Sequence, residues 1–269
     1  MSTWLRLFPD EDFRFRMALR KGDTAAFFAP TADDSLLQQR RTQLESDPHR
    51  YAAALPDSLP MVADAMALLK AASGTAVPAG EDPLARCIAA GKVIEPDWVI
   101  LSPDPAKNHP VMGGVVCFPS SWSLPEKLGL ALHDVHRPAP TVTASLGGSI
   151  DAFLTRLRPG EAWLRENWGL SADAELDHHP DCPQSVLSKD ARLTTTWLRL
   201  ESQLLTRLPA TSAILFGIRV TIHRLDTLAA ELGLAPRIAR ALQTMPDDTA
   251  DYKGLADCRT ALISELVAR

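Results

Sequence analysis

The sequence predicts an α+β fold built on one antiparallel sheet, and three observations carry that expectation. Five short runs rich in aliphatic, Thr and Trp residues, bounded by Pro, Gly, Ser or Asp, have the composition of strands. Strands adjacent in sequence and joined by short connections favour antiparallel pairing. Between the second and third runs lies a helical excursion of about 35 residues, which must cover one face of the sheet.

Residues 1–80 read as helical and polar in alternation, and form a helical N-terminal extension. Its clearest helices are QQRRTQLES and MVADAMALLKAA. In the second, Val62, Met66 and Leu69 fall at helical spacing, and Met61, Ala65 and Leu68 widen the stripe, so this face packs in a core. The turn-rich TAVPAGEDP at 75–83 separates this part from a main unit, 81–269. DWVILSPD is a strand closed by Pro, and VMGGVVCF is a second one stopped by PSS. A helical stretch from Leu124 to Leu132 leads into HDVHRPAP, whose two prolines forbid continuous helix. Residues 145–157 form the next helix, ended by Arg158-Pro159-Gly160. EAWLRENWGLS, TTTWLRLESQLL and AILFGIRVTIHRL are the last three strands. Helix returns over 227–245, interrupted at Pro236, and over 254–268.

The composition belongs to an ordinary globular protein: of 269 residues, 46% are hydrophobic and 23% charged. A net charge of −5, without a run of five like charges, disfavours nucleic-acid binding, which needs a concentrated basic surface. No stretch approaches the roughly 18 apolar residues of a membrane span. MSTWLRLFPDEDFRFR has the form of neither a signal nor a transit peptide, which places the chain in the cytoplasm. The four cysteines contain no CxxC pair, so a zinc ribbon or a four-Cys cluster is disfavoured and free thiols are expected.

Seven histidines form no HExxH and no paired metal spacing, and GxSxG, GxxxxGK[ST] and a strand-following GxGxxG are absent. His133 and His136 lie about one turn apart at the end of a helical stretch. A single neutral imidazole is enough to hold a haem iron; a helix cap or a surface position is the other use of a histidine there. His178 and His179, in DHHPDCP beside Asp177, Asp181 and Cys182, match no standard structural metal spacing and read as a solvated loop. Arg199 and Glu201 are two apart in a strand and so share a face. Facing inward they need partners or a ligand; facing outward they are ordinary solvated residues, and periodicity leaves both open.

Four segments, taken in order, resemble a known family. They are HPVMGGVVCFPSSWSLPEKLGLALHDVHRPAP, LRPGEAWLRENWGL, WLRLESQLLTRLPATSAILFGIR and LQTMPDDTADYKGL, covering the chain from about residue 93 onward. They are similar to the motifs of the haem-dependent oxidative N-demethylases. The resemblance implies that the antiparallel sheet is PAS-like and that 81–269 is a haem domain with C-terminal helices. It also implies haem b as cofactor, O2 as co-substrate and a small methylated amine, dimethylamine-like, demethylated with release of formaldehyde. Electrons would come from a separate flavin or iron–sulfur reductase.

Residue by residue, the resemblance implies His136 as the axial iron ligand. It implies Arg165, Asn167, Trp168 and Arg199 as cofactor-binding, with arginines suited to propionates. Glu201 and Arg219 are implied as catalytic, all on neighbouring strands lining the cavity. The chain departs from the pattern at Ser202, where Arg is usual, at Thr141 and Val142 in place of Gly-Tyr, and at Ala139 in place of Val. A non-catalytic haem sensor and a haem-free structural subunit are the alternatives.

Overall fold

The computed structural model describes residues 3–137 and 140–269, and for 140–146 the backbone alone. Ala139, and the side chains of Thr141 and Val142, therefore lie outside the described residues. The chain is α+β. Among the described residues its sheet has seven strands, all antiparallel, in the order β1-β5-β6-β7-β3-β4-β2.

The strands are β1 (Arg20–Lys21), β2 (Ala52–Ala54), β3 (Asp97–Leu101), β4 (Val111–Val115), β5 (Ala162–Ser171), β6 (Trp197–Arg207) and β7 (Ile214–Arg224). The centre is the long β6–β7 hairpin, paired without a break from Trp197↔Arg224 to Arg207↔Ile214. β5 adds on one side over its whole length, from Ala162↔Thr206 to Ser171↔Trp197. The five strands read from composition are all present. Their β-branched and aromatic residues fit a pleated, half-buried surface.

The two edge strands come from the first 80 residues. β2 is Ala-Ala-Ala, a strong helix former by propensity, held extended by pairing Ala52↔Val115 and Ala54↔Gly113. Tertiary pairing overrides local preference there. The helix Leu59–Ser73 buries Val62, Ala65 and Leu69 in one cluster with Trp98 and Ile100, as its apolar stripe requires. From the same helix, the buried Asp64 accepts hydrogen bonds from Ala210 N (3.0 Å), Thr211 N (2.7 Å) and Thr211 Oγ1 (2.8 Å), pinning the turn between β6 and β7.

Several helical boundaries differ from the sequence reading, among them the helix read over 145–157, which runs from Pro140 to Arg156. The stretch from Leu124 splits into Leu124–Lys127 and Leu132–Val135, because Gly129 stands at φ +78°, a left-handed conformation that ends a turn of helix. Pro236 does not interrupt its helix but lies in the first turn of Leu234–Thr244, where a missing N–H costs nothing. The last helix is Arg259–Val267, preceded by Asp247–Tyr252.

The helices divide between the faces. Those of the C-terminal part pack Leu228, Ile238, Leu242 and Leu262 against Trp168, Leu198 and Leu200. On the other face, the helix Pro140–Arg156 brings Leu154 with Ile150 and Phe153 to Trp163, Leu205, Ile214 and Phe216, at one end of the sheet only. The same face continues past that helix, and there most of the candidate site residues gather.

Candidate functional site

Side chains alternate between the faces of a strand, and the unbroken register of β5, β6 and β7 extends that rule across strands. The rows are Arg165–Gln203–Ile218, Asn167–Glu201–Val220 and Gly169–Arg199–Ile222. All nine side-chain positions share one face. Its centre is only partly covered: Arg165, Asn167 and Gly169 on β5 are half-buried, and so are Glu201 and Ile222 on the central hairpin. A Cβ added to Gly169 would meet nothing within 4 Å, so open space lies above that row.

Glu201 is the centre of a hydrogen-bond network. Its Oε1 accepts from Ser120 Oγ (2.6 Å), and its Oε2 from Asn167 Nδ2 (3.2 Å) and Gln203 Nε2 (2.7 Å). All three donors are neutral, so they orient the carboxylate without cancelling its charge.

Arg199 is buried and fully satisfied. Its Nη1 donates to Glu175 O (2.9 Å), and its Nη2 to Leu176 O (2.6 Å), Pro119 O (3.0 Å) and Phe118 O (3.1 Å). Its Nε donates to Ser120 Oγ (2.9 Å). An arginine can only donate, so Ser120 must spend its single hydroxyl proton on Glu201. Burial lowers the Arg199 pKa, and the charges of Glu201 and Asp97 work against that shift. The guanidinium also stitches the CFPSSW segment to the loop after β5.

That loop carries DHHPDCP, and the structure corrects the expectation of a solvated segment. His178 and His179 are both buried. His178 Nε2 meets Asp173 Oδ1 at 2.9 Å, while Asp177 accepts from Tyr51 Oη (2.6 Å), Gln43 Nε2 (3.0 Å) and His179 N (2.9 Å). Among the described residues no group of three His, Cys, Asp or Glu side chains is placed to hold a metal ion.

Arg165 stands apart from this saturation. Its Nε is buried and has no hydrogen-bond partner among the described residues. Burial pulls its pKa down, opposed by the charges of Glu201 and Glu166. His136 follows the one-turn helix Leu132–Val135, which is tied to the loop before β4 by Leu132 N to Asn108 O (2.9 Å). Its imidazole is half-buried, and its pKa is lowered by burial and then by the charge of Arg165, which keeps the ring neutral at neutral pH. His133 instead points outward, with Nε2 3.1 Å from Asp151 Oδ2.

Two implied site residues fall on the opposite face. Trp168 is adjacent to Asn167 and so points the other way, buried against Phe8 with ring centroids 5.0 Å apart. Arg219 pairs in register with Ser202, one position off the Glu201 row. It forms an ion pair with buried Glu95 and donates to Phe27 O (3.0 Å) and Ala29 O (3.1 Å). Ser202, where the family pattern has Arg, is on this back face too. Replacing Arg219 with Met takes the counter-charge from the Glu95 carboxylate and leaves it the two Thr31 donors, at a cost of roughly 1–3 kcal/mol. Urea unfolding should register that loss, with the ligand-binding properties of the folded protein unchanged; loss of binding with stability intact would return Arg219 to the site.

The structure adds Ser120 and Lys253, which the sequence reading did not single out, and gives a partner to Gln203, which the resemblance matched only as a polar strand position. Ser120 and Gln203 hold Glu201, and Lys253 arrives from the C-terminal segment. Lys253 Nζ donates to Trp168 O (2.6 Å), on the edge of β5 beyond its short pairing with β1, and lies 5.2 Å from the Trp168 ring centroid. Burial lowers its pKa to about 8, with Glu201 opposing and Arg165 reinforcing the shift. Gln203 was within reach of the sequence, two residues from Glu201. Ser120 and Lys253 were not, because only the fold brings them near.

A separate surface hollow of about 550 Å³ is lined by Arg41, Glu45, Ile88 and Lys92 among others, and none of the residues above borders it. A comparison with protein families matches residues 69–263 to the model described as haem-dependent oxidative N-demethylase, alpha subunit-like. The match spans β3 to β7 and includes His136, Arg165, Glu201 and Lys253.

Proposed function

The chain belongs to the haem-dependent oxidative N-demethylase, alpha subunit-like family, and from that membership we propose that it is the haem-bearing subunit of a monooxygenase-type N-demethylase. The substrate is a small methylated amine of the dimethylamine class. Overall, one methyl group leaves as formaldehyde and the amine retains a hydrogen. One oxygen atom of O2 enters the formaldehyde, and two electrons and two protons reduce the other to water. The electrons come from a separate flavin or iron–sulfur reductase.

Two features of the site suit a haem. Among the described residues, Arg165 holds a buried Nε without a partner, the kind of donor a propionate satisfies, and nothing fills the space above Gly169. His136 is the residue that would hold the iron in this reading, its neutral imidazole lying close enough to Arg165 to feel its charge. Haem, when bound, supplies the oxygen chemistry, while the protein supplies orientation and electrostatics.

The observation that carries the substrate assignment is the Glu201 carboxylate, held by three neutral donors on a half-open face. Oε1 has a single partner and so retains acceptor capacity. An N–H of a secondary ammonium donates to it, which fixes the nitrogen. Val220, opposite Glu201 in the register, and Ile222 in the next row give the methyl groups an apolar neighbour. Ser120 keeps the carboxylate from turning, because Arg199 fixes the direction of its hydroxyl.

The purified protein should show a Soret band and should release formaldehyde from dimethylamine when given a reductase. His136→Ala should lose axial ligation and much of the haem; full haem content with an unchanged Soret position would remove His136 from the role. A Soret band without formaldehyde would favour a haem sensor, and its absence a haem-free structural subunit.

A further inference from the structure

We propose that Arg165 and Lys253 together form the anchor for the haem propionate carboxylates, at the edge of β5 that no described strand covers beyond Leu164. The proposal rests on the haem reading above and deepens it by naming Lys253, from the far end of the chain, as part of the site.

The argument is one of charge balance. Two cations are carried at this edge, Arg165 in β5 itself and Lys253 through its bond to Trp168 O further along the same strand; both feel the charge of Glu201, and Lys253 that of Arg165. The carboxylate they share is already oriented by Ser120, Asn167 and Gln203. Glu166, the other carboxylate acting on Arg165, points to the back face and pairs with Arg6 and Arg20. Arg199 adds a third positive charge to the same face, satisfied by main-chain carbonyls rather than by an anion. Arg165, Lys253 and Arg199 thus share one Glu201 carboxylate, and Glu166 is already divided between Arg6 and Arg20. Buried positive charge in excess of its counter-charges is costly, so the pair is built to receive a further anion.

The donor geometry says which kind. Arg165 offers an unused buried Nε–H, and Lys253, with three ammonium protons, uses one on Trp168 O. A guanidinium next to an ammonium suits carboxylate oxygens, and a haem has two propionates to bring. A carboxylate could equally be carried by an N-methyl amino acid. The site commits to the propionate, and the experiment separates the two sources.

Apo-protein is titrated with haem and with haem dimethyl ester, whose propionates are neutralised, and the Soret absorbance is followed. Wild type should bind haem at least roughly tenfold more tightly than the ester. Arg165→Gln and Lys253→Gln should each bring that preference towards unity while the ester binds as it does to wild type. Gln at 253 retains an N–H for Trp168 O, and the ester titration of each variant controls for folding, so general destabilisation cannot imitate the result. A preference unchanged in both variants overturns the anchor and leaves the haem reading standing. If haem binding is unchanged but the variants lose a Soret perturbation caused by sarcosine in wild type, the carboxylate belongs to the substrate and the propionate anchor is wrong. A wild type that takes up no haem overturns both readings.

Discussion

Glu201→Gln should keep the fold and the haem and lose at least roughly tenfold in amine turnover, since about 1.4 kcal/mol of transition-state interaction is a factor of ten in rate. The substitution is nearly isosteric, and the network can absorb it. The amide oxygen still accepts from Asn167 and Gln203, and the amide NH2 turns to Ser120 Oγ, which already accepts from Arg199. What disappears is the negative charge, and with it the attraction for an alkylammonium. Because the three donors around Glu201 are neutral, the substitution breaks no hydrogen-bonded ion pair, and the positive charges of Arg165, Arg199 and Lys253 that Glu201 offsets are left to disfavour an ammonium further. Steady-state kinetics at equal haem occupancy measure the effect. Unchanged turnover would leave Glu201 as an element of scaffold and would end the proposed substrate role.

Arg199→Met should destabilise the fold by about 3–5 kcal/mol, because removing one member of a buried charged network leaves its partners unpaired. Four carbonyls, of Phe118, Pro119, Glu175 and Leu176, lose their donor, and Ser120 loses the bond that fixes its hydroxyl. For a chain of this size that corresponds to a fall of roughly 10 °C in melting temperature. Arg199→Lys should recover little, since a compact ammonium with three donors cannot span five acceptors held by a planar fork. Thermal unfolding followed by circular dichroism checks both variants. A melting temperature within about 2 °C of wild type in Arg199→Met would show that the loop carbonyls find water instead.

The two effects separate cleanly on the same strand. Arg199 and Glu201 are two residues apart and share a face, yet one is closed off by main chain and the other is held ready by neutral side chains. In the proposed reading, Arg199 therefore works through structure, and Glu201 through charge presented to a ligand. Ser120 joins them, so a change at Arg199 also releases the carboxylate.

Much of this arrangement was legible without coordinates. Composition located β3 through β7, because β-branched and aromatic runs between turn residues have few other uses. The period of two put Arg199 and Glu201 on one face, and four motifs in order pointed to the family that the match over 69–263 bears out. The same period placed Trp168 opposite Asn167, although the resemblance alone put both at the haem.

What only the tertiary structure decided was everything that depends on register and on contacts between distant segments. Arg219 lies opposite Ser202 rather than Glu201, and that single step sends it to the back face with Glu95. β2 is an alanine triplet whose own preference is helix, and it is a strand because β4 pairs with it. His178 and His179 sit in a polar stretch that reads as solvated, yet Asp173, Asp177 and the reach of Arg199 fold it inward. Ser120 and Lys253 stand 81 residues before and 52 after Glu201 in the sequence. Side-chain period is a local property that the chain carries in itself. The face it exposes, and the partners waiting there, are set by pairing between strands and loops far apart in sequence, which no local pattern encodes.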